Sequence, residues 1–164
     1  MTLLRDEGLT TDRPAGPAGL TDEELAVWRM LQRAQVHITR HLEAELLVAH
    51  GLPLASYDVL TQLAEAPDRR LRMNDLAGRV LLSRSGLTRL IDRLQRDGLV
   101  AREACASDAR GLFAVLTDRG AARLTEATPT YLRGIRSEFL DLLGPGEIRL
   151  VREMLAKLPI TAAP

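Results

Sequence analysis

The stretch LSRSGLTRLIDRLQRDGLV, residues 82–100, decides the fold. Advanced at about 100° per residue, Leu87, Leu90, Ile91 and Leu94 share one compact apolar face of a helix. Ser85, Arg89, Asp92 and Arg96 point the opposite way, with Thr88 and Arg93 on the flanks. Ser83 precedes the helix as an N-cap, and Gly98 is placed to end it. Asp92 is the one acid on the outward face. It stands four residues before Arg96, a spacing that favours an ion pair between them.

Downstream, the apolar period drops from 3.6 to 2. Leu99–Glu103 and Leu112–Leu116 read as two short strands around a polar loop, 104–111, with Arg110 at its tip. Upstream, a short third helix runs from Arg72 or Asn74 to Val80, after a turn at Ala66–Asp68 and a second helix over Leu54–Glu65. The first helix spans about residues 21–50, opened by a Thr21-Asp22-Glu23-Glu24 capping box. Its stripe (Leu25, Trp28, Leu31, Gln35, Ile38, Leu42, Ala49) is longer than one neighbour needs and predicts a partner beyond its own chain. Thr117 caps a fifth helix, with a kink expected at Pro129. Gly144-Pro145-Gly146 breaks the chain before a last helix ending at Pro159.

The order of elements predicts a mainly α winged helix-turn-helix with six helices and a two-stranded β-hairpin. The winged part covers about 54–117 of a single domain, 21–164, preceded by a flexible Gly/Pro-rich arm over 1–20.

Composition narrows the function. Apolar residues make up 46% and charged residues 27%, as in ordinary soluble domains. Aromatics are only 3%, so Leu, Val and Ala must build the core. No apolar run approaches the roughly 18 residues of a membrane span, and no secretory signal is evident. The one cysteine, Cys105, excludes an internal disulfide framework. A cytoplasmic protein without membrane contact is expected. Formal charge is zero, yet residues 69–110 hold ten arginines against five acids, a net of +5 that the flanks cancel. A basic middle is a local footprint for a phosphate backbone.

An α-helix fits the DNA major groove, where its N-terminal half meets base edges. Here that half carries Arg84, Ser85, Thr88 and Arg89. Arginine can fork onto guanine, and Thr can touch a thymine methyl. Ser85, Thr88 and Arg89 are therefore expected to read bases. Arg84, Arg93 and Arg96 suit phosphates, and Arg110 suits a narrow minor groove. A merely solvated charged face is the bland alternative; the adjoining hairpin argues against it.

LSRSGLTRLIDRLQRDGLVAR, the wing SDARG and the junction LTDRG resemble the MarR family of bacterial transcriptional regulators, over about residues 21–158. The resemblance implies a homodimer joined through the N- and C-terminal helices, about 21–50 and 118–158. It implies a pseudo-palindromic double-stranded operator and, commonly, repression relieved by a small aromatic or lipophilic anion. Three positions depart from the family pattern. Ala109 stands where the wing often has a second arginine. Arg72 opens the third helix in place of Thr or Ser, which leaves Asn74 as the expected cap. Pro53 replaces another capping Thr.

Trp28 and Tyr57, with Tyr131, can wall an effector pocket, although packing is the simpler role for so few aromatics. Arg33 and His37 can reach a carboxylate in such a pocket. His37, His41 and Glu45 share one helix face at a spacing that can chelate zinc, but no cysteine pair supports them, and no metal or other cofactor is expected. Cys105 reads as an incidental loop residue rather than an oxidant sensor. No catalytic triad, phosphate loop or nucleophile motif appears, so no enzyme is expected. Two other readings remain open: a winged-helix module that binds protein, and a small-molecule-binding protein without an operator.

Overall fold

The structure, a computed structural model, describes residues 19–158 apart from positions 81, 106 and 107; at 105 and 108–111 only the backbone is described. Most of the expected arm, residues 1–18, lies outside the described residues. Two compact units divide inside helix α1 (Asp22–His50): one ends at His37, the other runs from Ile38 to Pro164.

In the first unit the capping box forms as the sequence predicts. Glu24 Oε2 accepts from the Thr21 backbone N–H at 2.7 Å, and Thr21 Oγ1 accepts from the Glu24 N–H at 3.2 Å. Two otherwise unpaired donors of the first turn are thereby satisfied. Beyond the cap, Val27, Trp28, Met30, Leu31 and Val36 are all exposed.

In the second unit α1 ends where Gly51 takes a positive φ of 58°. Helix α2 (Leu54–Glu65) then starts with Pro53 at its N-cap, a residue with no side chain to cap it. Glu43 of α1 supplies the missing acceptor, its Oε2 receiving the Leu54 N–H. A 3₁₀ turn (Pro67–Arg69) leads to strand β1 (Arg70–Arg72), helix α3 (Met73–Arg79) and helix α4 (Arg84–Arg96). Strands β2 (Val100–Cys105) and β3 (Asp108–Leu116), helix α5 (Asp118–Glu138), a 3₁₀ turn (Leu140–Leu142) and helix α6 (Pro145–Leu155) follow.

Several expectations change. The sheet has three strands in the order β1-β3-β2, because Arg70–Arg72 pairs antiparallel with Phe113–Val115. The hairpin strands reach into the predicted polar loop, with Cys105 opposite Asp108, leaving only positions 106 and 107 between them. Arg72, not Asn74, occupies the N-cap of α3 and makes no side-chain capping bond. Helix α5 carries Pro129 inside it, where the sequence places it, and ends at Glu138.

The core of this unit is aliphatic. Leu46, Val59, Leu60, Leu63 and Leu76 are completely buried, and the predicted face of α4 (Leu87, Leu90, Ile91, Leu94) closes over them. Truncating any one of these to Ala removes packing worth about 2–5 kcal/mol. The junction from β3 into α5 is held by Thr117, whose Oγ1 accepts from the Gly120 N–H at 3.0 Å and donates to the Gly98 carbonyl at 2.8 Å. Gly120 packs so tightly here that a Cβ would lie 2.1 Å from the Leu99 carbonyl oxygen. No described helix is long and apolar enough to cross a membrane.

Candidate nucleic-acid interface

Helix α4 is fastened at both ends. Ser83 Oγ accepts from the Gly86 N–H at 3.1 Å, and Gly98, at φ 70°, ends the helix. With Leu87, Leu90, Ile91 and Leu94 inward, Arg84, Ser85, Thr88, Arg89 and Arg96 are left exposed on the outer side. Thr88 Oγ1 donates to the Arg84 carbonyl at 2.9 Å, so its proton is engaged while its lone pairs and methyl stay available. Arg89 Nε and Arg96 Nε make only long contacts, 3.4 Å each, to carbonyls one turn back. Their terminal nitrogens keep free donors. Arg84 has no side-chain partner among the described residues.

Two side chains do not follow the sequence expectation. Asp92 does not ion-pair with Arg96; its carboxylate is taken by Arg102 of β2, whose Nη1 donates to Oδ1. Spacing along one helix could not reveal a partner that arrives from a strand. Arg93 turns toward α2, and its Nη2 donates to the buried Ser56 Oγ at 3.1 Å. Arg110 lies within β3 rather than in a loop, and its side chain is outside the described residues, as is that of Cys105.

The base of the hairpin is also cationic. The Arg70 and Arg72 guanidiniums sit 5.2 and 5.5 Å from the centre of the Phe113 ring, a cation–π arrangement.

A second feature lies between α2, α3 and α5. A cavity of about 310 Å³ is lined by Tyr57, Asp58, Thr61, Arg79 and Tyr131, among others. The two tyrosine rings pack with centroids 4.4 Å apart. Burial raises the Tyr131 phenol above its ordinary pKa, with the nearby Asp58 and Tyr57 adding to it. Burial likewise raises Asp58, helped by the charge of Glu43. Arg79 Nε is buried with no hydrogen-bond partner. Of the four expected effector residues, Tyr57 is buried in this wall. Trp28, Arg33 and His37 belong to the first unit, all exposed on α1. Asp58 and Arg79 were missed; the only signal was their place beside Tyr57 and at the end of a short helix.

His41 stands between Glu45 and Glu138, at 3.4 and 3.5 Å. Among the described residues no group of three or more His, Cys, Asp or Glu side chains could hold a metal.

The model of the MarR family matches residues 50–111, from the end of α1 into strand β3 of the hairpin. The MarR family transcriptional regulator Sco3205 of Streptomyces coelicolor, solved in complex with DNA, is 39% identical with a TM-score of 0.79, over 84% of this chain and 89% of that one. AbsC, a second MarR family regulator from S. coelicolor, is 38% identical with a TM-score of 0.77, over 83% and 91%. The HTH-type transcriptional regulator MhqR of Bacillus subtilis is 27% identical over 143 residues, 87% of this chain and 96% of that protein.

Proposed function

The chain belongs to the MarR family of transcriptional regulators, and on that premise we propose that it is a sequence-specific double-stranded DNA-binding repressor, released by a small aromatic or lipophilic effector. One observation carries the DNA reading: the two-sided helix α4, whose fully packed inner face leaves Ser85, Thr88 and Arg89 outward on a rigid support. These three read base edges in the major groove. Arg84 and Arg96 hold backbone phosphates, and Arg110 enters the minor groove. Arg93, which turns toward α2 and lines a separate cleft, is left out of this set. The DNA complex of Sco3205 supports the same reading.

The apolar side chains left open support a homodimer, which would sit on a pseudo-palindromic site. Ile148, Leu150, Met154 and Leu155 of α6 are exposed in one unit, as are Val27, Trp28 and Met30 of α1 in the other. Such surfaces on the terminal helices suit a second copy of the chain. The tyrosine-walled cavity supports the effector: the packed rings suit a planar apolar body, and the unpaired Arg79 Nε–H can donate to an anionic group.

Selection of bound duplexes from a random pool tests the reading. A two-fold symmetric consensus, bound by a dimer and weakened by aromatic carboxylates, is the expected result. Enrichment of no sequence, or equal binding of any duplex at moderate salt, sinks it.

A further inference from the structure

A cleft of about 630 Å³ lies on the second unit at the C-terminal half of α4, apart from the tyrosine cavity. It is within the range of about 300–1,000 Å³ typical of small-molecule sites. Its walls are the elbow between α1 and α2, Arg93 and the C-cap Asp97 of α4, and Arg119, Arg123 and Glu126 of α5. Three guanidiniums thus face two carboxylates. Two of the arginines are already held in place: Arg93 by Ser56 Oγ, and Arg123 by Glu126 at 3.2 Å. Arg119 and Asp97 have no side-chain polar partner among the described residues.

We propose that this cleft binds a small hydroxyl-bearing phosphate ester, a sugar phosphate or a mononucleotide. The arginine forks match a phosphate in geometry as well as charge, and fixing two of them in advance lowers the ordering cost of binding. Arg119, the one of the three without a side-chain partner among the described residues, completes the phosphate clamp. Asp97 accepts from hydroxyls of the same ligand, as a carboxylate can only accept. The two carboxylates argue against the other source of phosphate: a duplex backbone offers no free hydroxyls along its length and would be repelled by both. The charged walls argue equally against a lipophilic effector. This reading stands apart from operator recognition, because it is tested on the DNA-free protein.

The experiment is titration of the full chain with glucose 6-phosphate, adenosine 5′-monophosphate and inorganic phosphate, followed by calorimetry and by the NMR signals of the arginine Nε–H groups. The expected result is saturable binding of at least one ester, tighter than inorganic phosphate, with the Arg119 and Arg123 signals shifting. Arg119→Gln, which removes no side-chain hydrogen bond or ion pair among the described residues, should weaken the ester at least tenfold. Asp97→Asn should erase the preference for ester over inorganic phosphate. Absence of saturable ester binding overturns the proposal, as does binding that Arg119→Gln leaves unchanged. A variant that loses duplex affinity while neither ester binds the wild type would give these arginines to DNA, and overturns it too.

Discussion

Arg102 of the hairpin grips Asp92 of α4, and the same guanidinium reaches Gln95 Oε1 at 3.2 Å and the Thr88 carbonyl at 3.5 Å. One side chain from β2 therefore spans about two turns of the helix that carries the proposed base-reading residues. The contact also neutralises the one acid of α4.

Arg102→Ala should therefore loosen α4 against the hairpin more than it unfolds the protein. Both partners are partly exposed, so the pair contributes about 1 kcal/mol or less to stability. We expect operator affinity to fall about tenfold, and a double-mutant cycle with Asp92→Ala to show coupling of about 1 kcal/mol. Unchanged affinity in fluorescence anisotropy would show that the brace does not position the helix.

Arg89→Ala should relax base preference at one position of the operator by about 1–3 kcal/mol. Its partner contact, 3.4 Å to the Ser85 carbonyl, is too weak to matter for folding. If every operator variant weakens equally, Arg89 holds a phosphate instead.

Gly120→Ala should destabilise the fold by about 1–3 kcal/mol or more, because the new methyl meets the Leu99 carbonyl at 2.1 Å, where backbone has to move. For a domain of this size the melting temperature should drop by about 2–4 °C for each kcal/mol. A melting curve that matches wild type would contradict the tight junction described here.

Asp58→Asn should stabilise the protein at neutral pH. Burial first, and the Glu43 charge second, hold the Asp58 carboxyl above its ordinary pKa. The folded state then binds more protons than the unfolded chain between the two values. The favourable contribution of Asp58 is present in full below the unfolded pKa and is lost as pH rises through the folded one. Asparagine cannot ionise, so its advantage over wild type should be greatest near about pH 7 and shrink toward about pH 4. An advantage that is flat with pH, measured by chemical denaturation, would remove burial of this carboxyl from the account.

What could be read from the chain alone was what depends on neighbours a few residues away. The inner face of α4, the Thr21–Glu24 cap and the Ser83 and Thr117 caps all rest on contacts at i+3 or i+4, which spacing reveals. Strand β1 was invisible: Arg-Leu-Arg is too short for a period, and its partner in β3 lies over forty residues on. The hairpin outruns its sequence signal because Ala104, Cys105 and Asp108–Gly111 lack the β-branched residues that mark a strand, while pairing across the sheet extends them anyway. The Tyr57–Tyr131 stack, Glu43 over Leu54 and Arg102 on Asp92 escaped for the same reason. Each joins separate elements, and charge or ring alone does not say which of many candidates will meet.

The third strand has a mechanical meaning. Helix α3 begins at Met73, immediately after β1 is stitched to β3, and its last residue, Arg79, forms part of the tyrosine-lined hollow. Seven residues thus link the hollow to the hairpin. On the proposed function, a ring-sized molecule that displaces the Arg79 end would be expected to disturb the stitched end as well.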